Sequence, residues 1–308
     1  MYKRQIEPKD THDYQPGWTM VGGGVFDVRQ TRRPLTQVLP NSVDWIRLSV
    51  TAFQPEDNAV VLDSGEMICY QQLVISAGIK LNWSAIEGLE ETLGKNGVTS
   101  NYLYELAPYT WELVQNFKRG KAIFTQPPIP IKCAGAPQKA LYLSASHWLK
   151  TGVINDINID FYNAGGVLFG VPDYVPALQS YIDKYNAKTH FLHKLVKIDG
   201  ASKTAWFETN NEQGEVVTLS TQFDMIHVCP PQCAPDFIAN SSLSDADGWL
   251  DVDPSTLQHK RVKNIWGLGD ATNTSNAKTM AAARKQAPVV AQNVVDALDN
   301  KAPLAAYD

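Results

Sequence analysis

Apolar positions along the chain switch between a strand period and a helix period. Residues 43–50, 59–62 and 72–76 are short runs of strand composition, the last a continuous apolar run ahead of Ala77 and Gly78. Leu103, Leu106, Trp111, Val114 and Phe117 recur at helical spacing and predict an amphipathic helix over 103–117. Strands are predicted at 121–125, 156–162, 189–192, 196–198, 204–207, 223–228 and 264–268. Helices are predicted at 138–149, 174–185 and 278–298, the last interrupted by Pro288. Residues 210–214 read as a turn. This alternation of strand and helix predicts an α/β fold with parallel sheets.

Composition narrows the class without deciding it. A length of 308 residues suggests about two domains. Lys and Arg number 27 against 32 Asp and Glu, so the net charge is −5 and the excess cationic surface that nucleic acid requires is missing. Hydrophobic residues at 44% and charged residues at 19% describe a globular chain. No uninterrupted apolar run of about 18 residues occurs. Four cysteines are too sparse for a disulfide scaffold, which leaves metal, redox chemistry or burial. The histidines show no metal-ligand spacing, and His190 and His193 read as surface residues of the second domain. Cys69 lies among strand residues and is expected to be buried.

Several segments carry candidate chemistry. Ile265–Gly267 and the Leu268-Gly269-Asp270 that follow read as an apolar strand ending in Gly-Asp. There an Asp at the strand's C-terminal end can accept from a ribose or ribityl hydroxyl. Glu7, in Gln5-Ile6-Glu7-Pro8, stands where an acidic residue ends the second strand of a dinucleotide fold. The run 73–78 ends in the small residues Ala77 and Gly78, which permit close approach to a cofactor. The stretch between the strand 121–125 and the next helix holds Pro127, Pro128 and Pro130. Three prolines remove three backbone donors, so a phosphate-cradling loop, and with it NAD(P)H, is disfavoured here. Cys133 follows just before that helix and beside Lys132. A helix N-terminus and a cation both favour a thiolate, which suggests a redox cysteine.

With these residues in view, the chain resembles the flavoproteins with two dinucleotide-binding domains, and within them the sulfide:quinone oxidoreductase family of mitochondrial type. The resemblance is carried by residues 14–22 (YQPGWTMVG), 132–139 (KCAGAPQK), 248–253 (GWLDVD), 256–259 (TLQH), 269–273 (GDATN) and 275–279 (SNAKT). It implies two Rossmann-like domains: an FAD domain formed by 6–105 plus 225–308, and a second domain over 106–224. Residues 1–5 are set aside as a sequencing scar. The resemblance also implies a chain cut at both ends, lacking the first strand–helix unit, the glycine loop and a C-terminal extension.

Function follows from the resemblance as an expectation. FAD is the implied cofactor. Sulfide is oxidised to sulfane sulfur at two redox cysteines, electrons pass to quinone, and a small thiol or sulfite accepts the sulfur. The parent protein is expected to be peripheral to a bacterial or mitochondrial inner membrane. Cys133 matches the first redox cysteine, whereas the position expected for the second holds Ala271. Cys229 and Cys233 are candidates for a relocated partner, the other readings being a local Cys229–Cys233 pair or two inert thiols. The implied cofactor contacts are Glu7, Pro16, Trp18, Val50, Ala77, Gly78, Gly269, Asp270, Lys278 and Thr279. Lys278 is electrostatically out of place at a helix start, which suggests a role toward the flavin. The alternative readings are a non-catalytic or incomplete flavoprotein homologue, a sulfide dehydrogenase feeding a cytochrome, and an NADH:quinone oxidoreductase.

Overall fold

Ala122 to Gln126 are buried without interruption, as in strands covered on both faces. A computed structural model, describing residues 2–308, places them in the strand Gly120–Gln126, the centre of a five-stranded sheet. That strand pairs in parallel with Ile157–Asn163 on one side and Met225–His227 on the other. Lys188–Phe191 and Val98–Thr99 complete the sheet at its two edges, again in parallel. Parallel pairing needs a crossover, and helix Ala136–Lys150 supplies it between Gly120–Gln126 and Ile157–Asn163. Its Leu141, Ala145 and Trp148 recur at helical spacing and join Phe124 and Phe161 in one core. The Trp148 indole also donates to the carbonyl of Val114, 2.9 Å away, in helix Ala107–Asn116.

The opposite face of this sheet is covered by an antiparallel sheet of Lys194–Asp199, Thr204–Asn210 and Val216–Gln222. Leu195, Ile198 and Phe207 pack there with Ile123 and Ile226. Tyr162 stacks against both Phe207 and His190, at ring separations of 3.9 and 4.2 Å. His190 bonds the buried carboxylate of Asp160 at 2.8 Å, and Lys121 stands 3.6 Å from its other oxygen. His190 is thus partly buried and hydrogen-bonded to a buried carboxylate rather than a free surface side chain.

All these elements belong to one compact unit, residues 13–32 and 81–231. The other unit holds residues up to 12, 33–80 and 232–308. The expected boundaries fell near 105 and 225. The units change over at 12/13, 32/33, 80/81 and 231/232, the last two because Val98–Thr99 and Met225–His227 are strands of the five-stranded sheet.

In the other unit, Ile265–Gly267 pairs in parallel with Leu73–Ile75. Helix Met280–Leu298 contributes Val290 to the core around Trp266, Leu250 and Ile75. It runs through Pro288 without a break, because that proline lies on the exposed face. Met1 lies outside the described residues, but Lys3–Ile6 forms a strand in parallel register with Val43–Ile46, so residues set aside at the start take part in the fold. Cys69 ends the edge strand Met67–Cys69 and is exposed rather than buried. Among the described residues no helix is long and apolar enough to cross a membrane.

Candidate functional site

Three adjacent parallel strands bring the candidate residues of the first-described unit to one level. Thr99 and Phe124 both register with His227. Two residues further along each strand stand Asn101, Gln126 and Cys229. This is the carboxyl edge of a parallel sheet, where α/β folds hold their ligands.

Cys133 lies beyond this edge, in the loop that leads into helix Ala136–Lys150. Its φ is +57°, a left-handed conformation that costs a residue with a side chain about 1 kcal/mol or more. Two contacts hold it there. Its carbonyl accepts from the Ala136 amide at 2.8 Å, and its Sγ lies 3.6 Å from the Lys139 ammonium. Lys139, one turn into the helix, thus places a cation at the sulfur. Lys132 turns away to Gln15 Oε1 at 2.5 Å, and its ammonium lies 5.7 Å from the Tyr102 ring and 5.9 Å from that of Trp18. The Tyr102 hydroxyl donates to the Lys132 carbonyl at 3.4 Å, tying the loop to the sheet edge.

Cys229 is 1% exposed and shares an apolar cluster with Tyr102, Ile131 and Ala136, against which Cys133 and Ala134 pack. Cys233 belongs to the other unit. The fold thus brings Cys229 into the surroundings of Cys133.

The same sheet edge carries buried polar atoms without partners. The Asn101 carboxamide, 4% exposed, has neither its Oδ1 nor its Nδ2 bonded. The Trp18 indole N–H, Gln126 Oε1 and His227 Nδ1 are in the same condition. Each such atom costs about 1–3 kcal/mol unless something else satisfies it. His227 Nε2 accepts from the Asn101 amide at 3.0 Å and fixes that backbone. Complete burial pushes the imidazole down to about 4, so it is neutral at physiological pH. Trp18 begins the short helix Trp18–Gly22, while Pro16 lies exposed in the turn Gln15–Gly17 ahead of it.

In the other unit, the paired strands Leu73–Ile75 and Ile265–Gly267 end side by side, with Ile75 opposite Gly267. Ala77-Gly78 and Gly269-Asp270 follow directly. Gly78 and Gly269 have φ of +74° and +73°. A Cβ on Gly78 would meet nothing within 4 Å, and one on Gly269 only the Ala283 methyl at 3.7 Å. The backbone is therefore open to close approach at both turns.

Lys278 precedes helix Met280–Leu298 rather than starting it. Thr279 is the N-cap, its side chain accepting from the Ala282 amide. The Lys278 ammonium folds back onto the carbonyls of Asp270 and Thr272, both at 2.8 Å, and lies 3.9 Å from the Trp249 ring centroid. Burial pushes it down to about 8, against the pull of Asp270 and Asp245. Its position is thus explained electrostatically: it faces two carbonyl oxygens, not the helix N–H groups. Ala271 is fully buried in the core. Glu7 directly follows Lys3–Ile6, with Oε1 accepting from the Lys9 amide. Val50 opens the strand Val50–Gln54, opposite Leu62.

Sequence patterns alone missed Lys139, Asn101 and His227. Lys139 was within reach of sequence reasoning, since a helix beginning at Ala136 carries it in its first turn. Asn101 and His227 gave no signal, because each is ordinary until the strand register is known.

No protein-family model matches the chain. It is 39% identical over 303 residues to the mitochondrial sulfide:quinone oxidoreductase of Mus musculus, covering 98% of this chain and 67% of the relative. To the Dictyostelium discoideum protein of the same name it is 41% identical, covering 94% and 64%. To that of Schizosaccharomyces pombe it is 34% identical, covering 96% and 65%. The chain thus spans about two thirds of the length of these relatives. The solved sulfide:quinone oxidoreductase of Aquifex aeolicus superposes with a TM-score of 0.82 at 22% identity, covering 96% of this chain and 71% of that one. A chain in the Tetrahymena thermophila mitochondrial ATP synthase structure gives 0.83 at 22% identity, covering 99% and 75%. These two likenesses establish the fold.

Proposed function

Because the chain belongs to the sulfide:quinone oxidoreductase family, we propose that it oxidises sulfide to sulfane sulfur and passes two electrons to a quinone, with FAD as its resident cofactor. The observation that carries this reading is Cys133, held at positive φ with Lys139 on its sulfur, beside the cluster that buries Cys229.

The residues present fit a flavin. Buried polar atoms of Trp18 and Asn101 lack partners, and the turns at Gly78 and Gly269 are open to a ligand. Trp18 and Asn101 would hold its ring system. When bound, FAD supplies two-electron transfer between sulfur and quinone.

The chain's own groups handle the sulfur. A disulfide joining Cys133 to Cys229 is attacked by hydrosulfide; the S–S bond breaks, one sulfur keeps the incoming atom as a persulfide, and the other leaves as a thiolate. Lys139 stabilises negative charge on the Cys133 side. A small thiol or sulfite then takes the outer sulfur. Ala271 has no thiol to offer and lies in the core. On this reading the protein works at the periphery of a bacterial or mitochondrial inner membrane.

An anaerobic absorbance titration tests it. The FAD-loaded chain is titrated with sulfide, with NADH as control, for the wild type and for Cys133→Ser, Cys229→Ser and Cys233→Ser. Bleaching of the flavin band by sulfide, lost in the first two variants and kept in the third, is the expected result. A flavin that sulfide leaves oxidised overturns the reading, and bleaching by NADH supports the NADH:quinone alternative.

A further inference from the structure

We propose that the Asn101 carboxamide, together with the Trp18 indole N–H, is the group that recognises the imide edge of the flavin ring. This inference rests on the FAD reading above and names the residues that would read the ring.

A carboxamide presents one acceptor and one donor side by side. An imide edge, with N–H flanked by C=O, is its complement, and two parallel hydrogen bonds satisfy both atoms at once. Asn101 has both atoms buried and unbonded. Burying a carboxamide without partners is unfavourable. Its backbone amide is fixed on the neutral His227 Nε2 at 3.0 Å. A Cβ added to Gly22 would fall 2.1 Å from Asn101 Oδ1, so the carboxamide lies against the bare backbone of the helix Trp18–Gly22. Trp18 and Gly22, four apart, share one face of that helix, and the Trp18 indole N–H is likewise buried and unbonded. A second donor of this kind suits the imide carbonyl that Asn101 Nδ2 does not serve.

The experiment measures FAD and N3-methyl-FAD dissociation constants by flavin fluorescence, for the wild type, Asn101→Ala and Asn101→Asp. Methylation at N3 removes the imide proton and leaves the rest of the ring intact. The wild type should bind N3-methyl-FAD roughly 10- to 100-fold more weakly than FAD, the effect of leaving a buried partner unmade. Asn101→Ala should bind FAD more weakly and no longer distinguish the two flavins. Asn101→Asp keeps the shape but loses the donor and gains charge, so it should lose affinity for both. If either variant fails to fold, the comparison of two flavins on the wild type still decides the question. A wild type that binds both flavins equally overturns the inference and leaves the FAD reading standing. A wild type that binds neither overturns that reading and the inference with it.

Discussion

Replacing Lys278 by Met should flatten the alkaline rise in the stability of its unit. The Lys278 side chain is 7% exposed, with its ammonium 2.8 Å from two carbonyl oxygens and 3.9 Å from the Trp249 ring centroid. Burial, the largest influence, lowers it to about 8, whereas an unfolded lysine keeps its proton to the ordinary 10.5. Between these values the unfolded chain binds one more proton than the folded chain, so unfolding free energy rises with pH across that window. Below 8 both states are protonated and the full cost of a buried charge is present; above 10.5 both are neutral and the cost is gone. At 1.36 kcal/mol per pH unit this amounts to about 3 kcal/mol at most. The assay is urea denaturation at pH 7.5 and pH 10, reading the wild type minus Lys278→Met so that other lysines and tyrosines cancel. Trp249 emission gives an independent readout, since loss of the nearby cation should produce a step near pH 8 that Trp249→Phe removes. A wild-type-minus-variant difference that does not change between the two pH values would refute the argument.

Three further outcomes follow from other contacts. Lys139→Gln should slow iodoacetamide modification of Cys133 at pH 7 roughly fivefold, since an ammonium at about this distance contributes about 1 kcal/mol even in water-like surroundings; an unchanged rate would refute the assignment of Lys139. Gly22→Ala should destabilise its unit by about 1–3 kcal/mol, because the new methyl would overlap Asn101 Oδ1, and thermal melting checks this. Burial alone would raise the Asp160 carboxyl, but His190 and Lys121 hold it below the ordinary range. The resulting stability is present above the ordinary value of 3.8 and is lost as pH falls below it, so Asp160→Asn should show a shallower acid transition by circular dichroism.

Much of the parallel scaffold was legible because its elements obey local rules. The predicted strand 121–125 and helix 138–149 match Gly120–Gln126 and Ala136–Lys150 to within two residues, since a buried run and an i, i+4, i+7 stripe are both periodic. The strand Val216–Gln222 escaped notice. It is a sheet edge whose Val216 and Leu219 face outward, so its apolar residues do not mark a core face. Lys278 looked like a helix-start residue in the wrong place. Only the return of the chain at Asp270 and Thr272, six to eight residues earlier, supplies the carbonyls that explain it. Cys133 was found from its neighbours in sequence, but Asn101 and Cys229 come to one level through strand register, a long-range property that no local pattern encodes.

That shared level also sets how the site fails. Asn101 and Cys229 are fastened two residues beyond adjacent strands, without a flexible tether between sheet and side chain. A residue so placed inherits the opening free energy of its strand, in contrast to one carried on a loose loop. Deuterium reaching the Asn101 amide, or a bulky maleimide reaching Cys229, must wait for the sheet itself to part. Heat should therefore disable this region in a single event, with no warm, folded but slackened state before it.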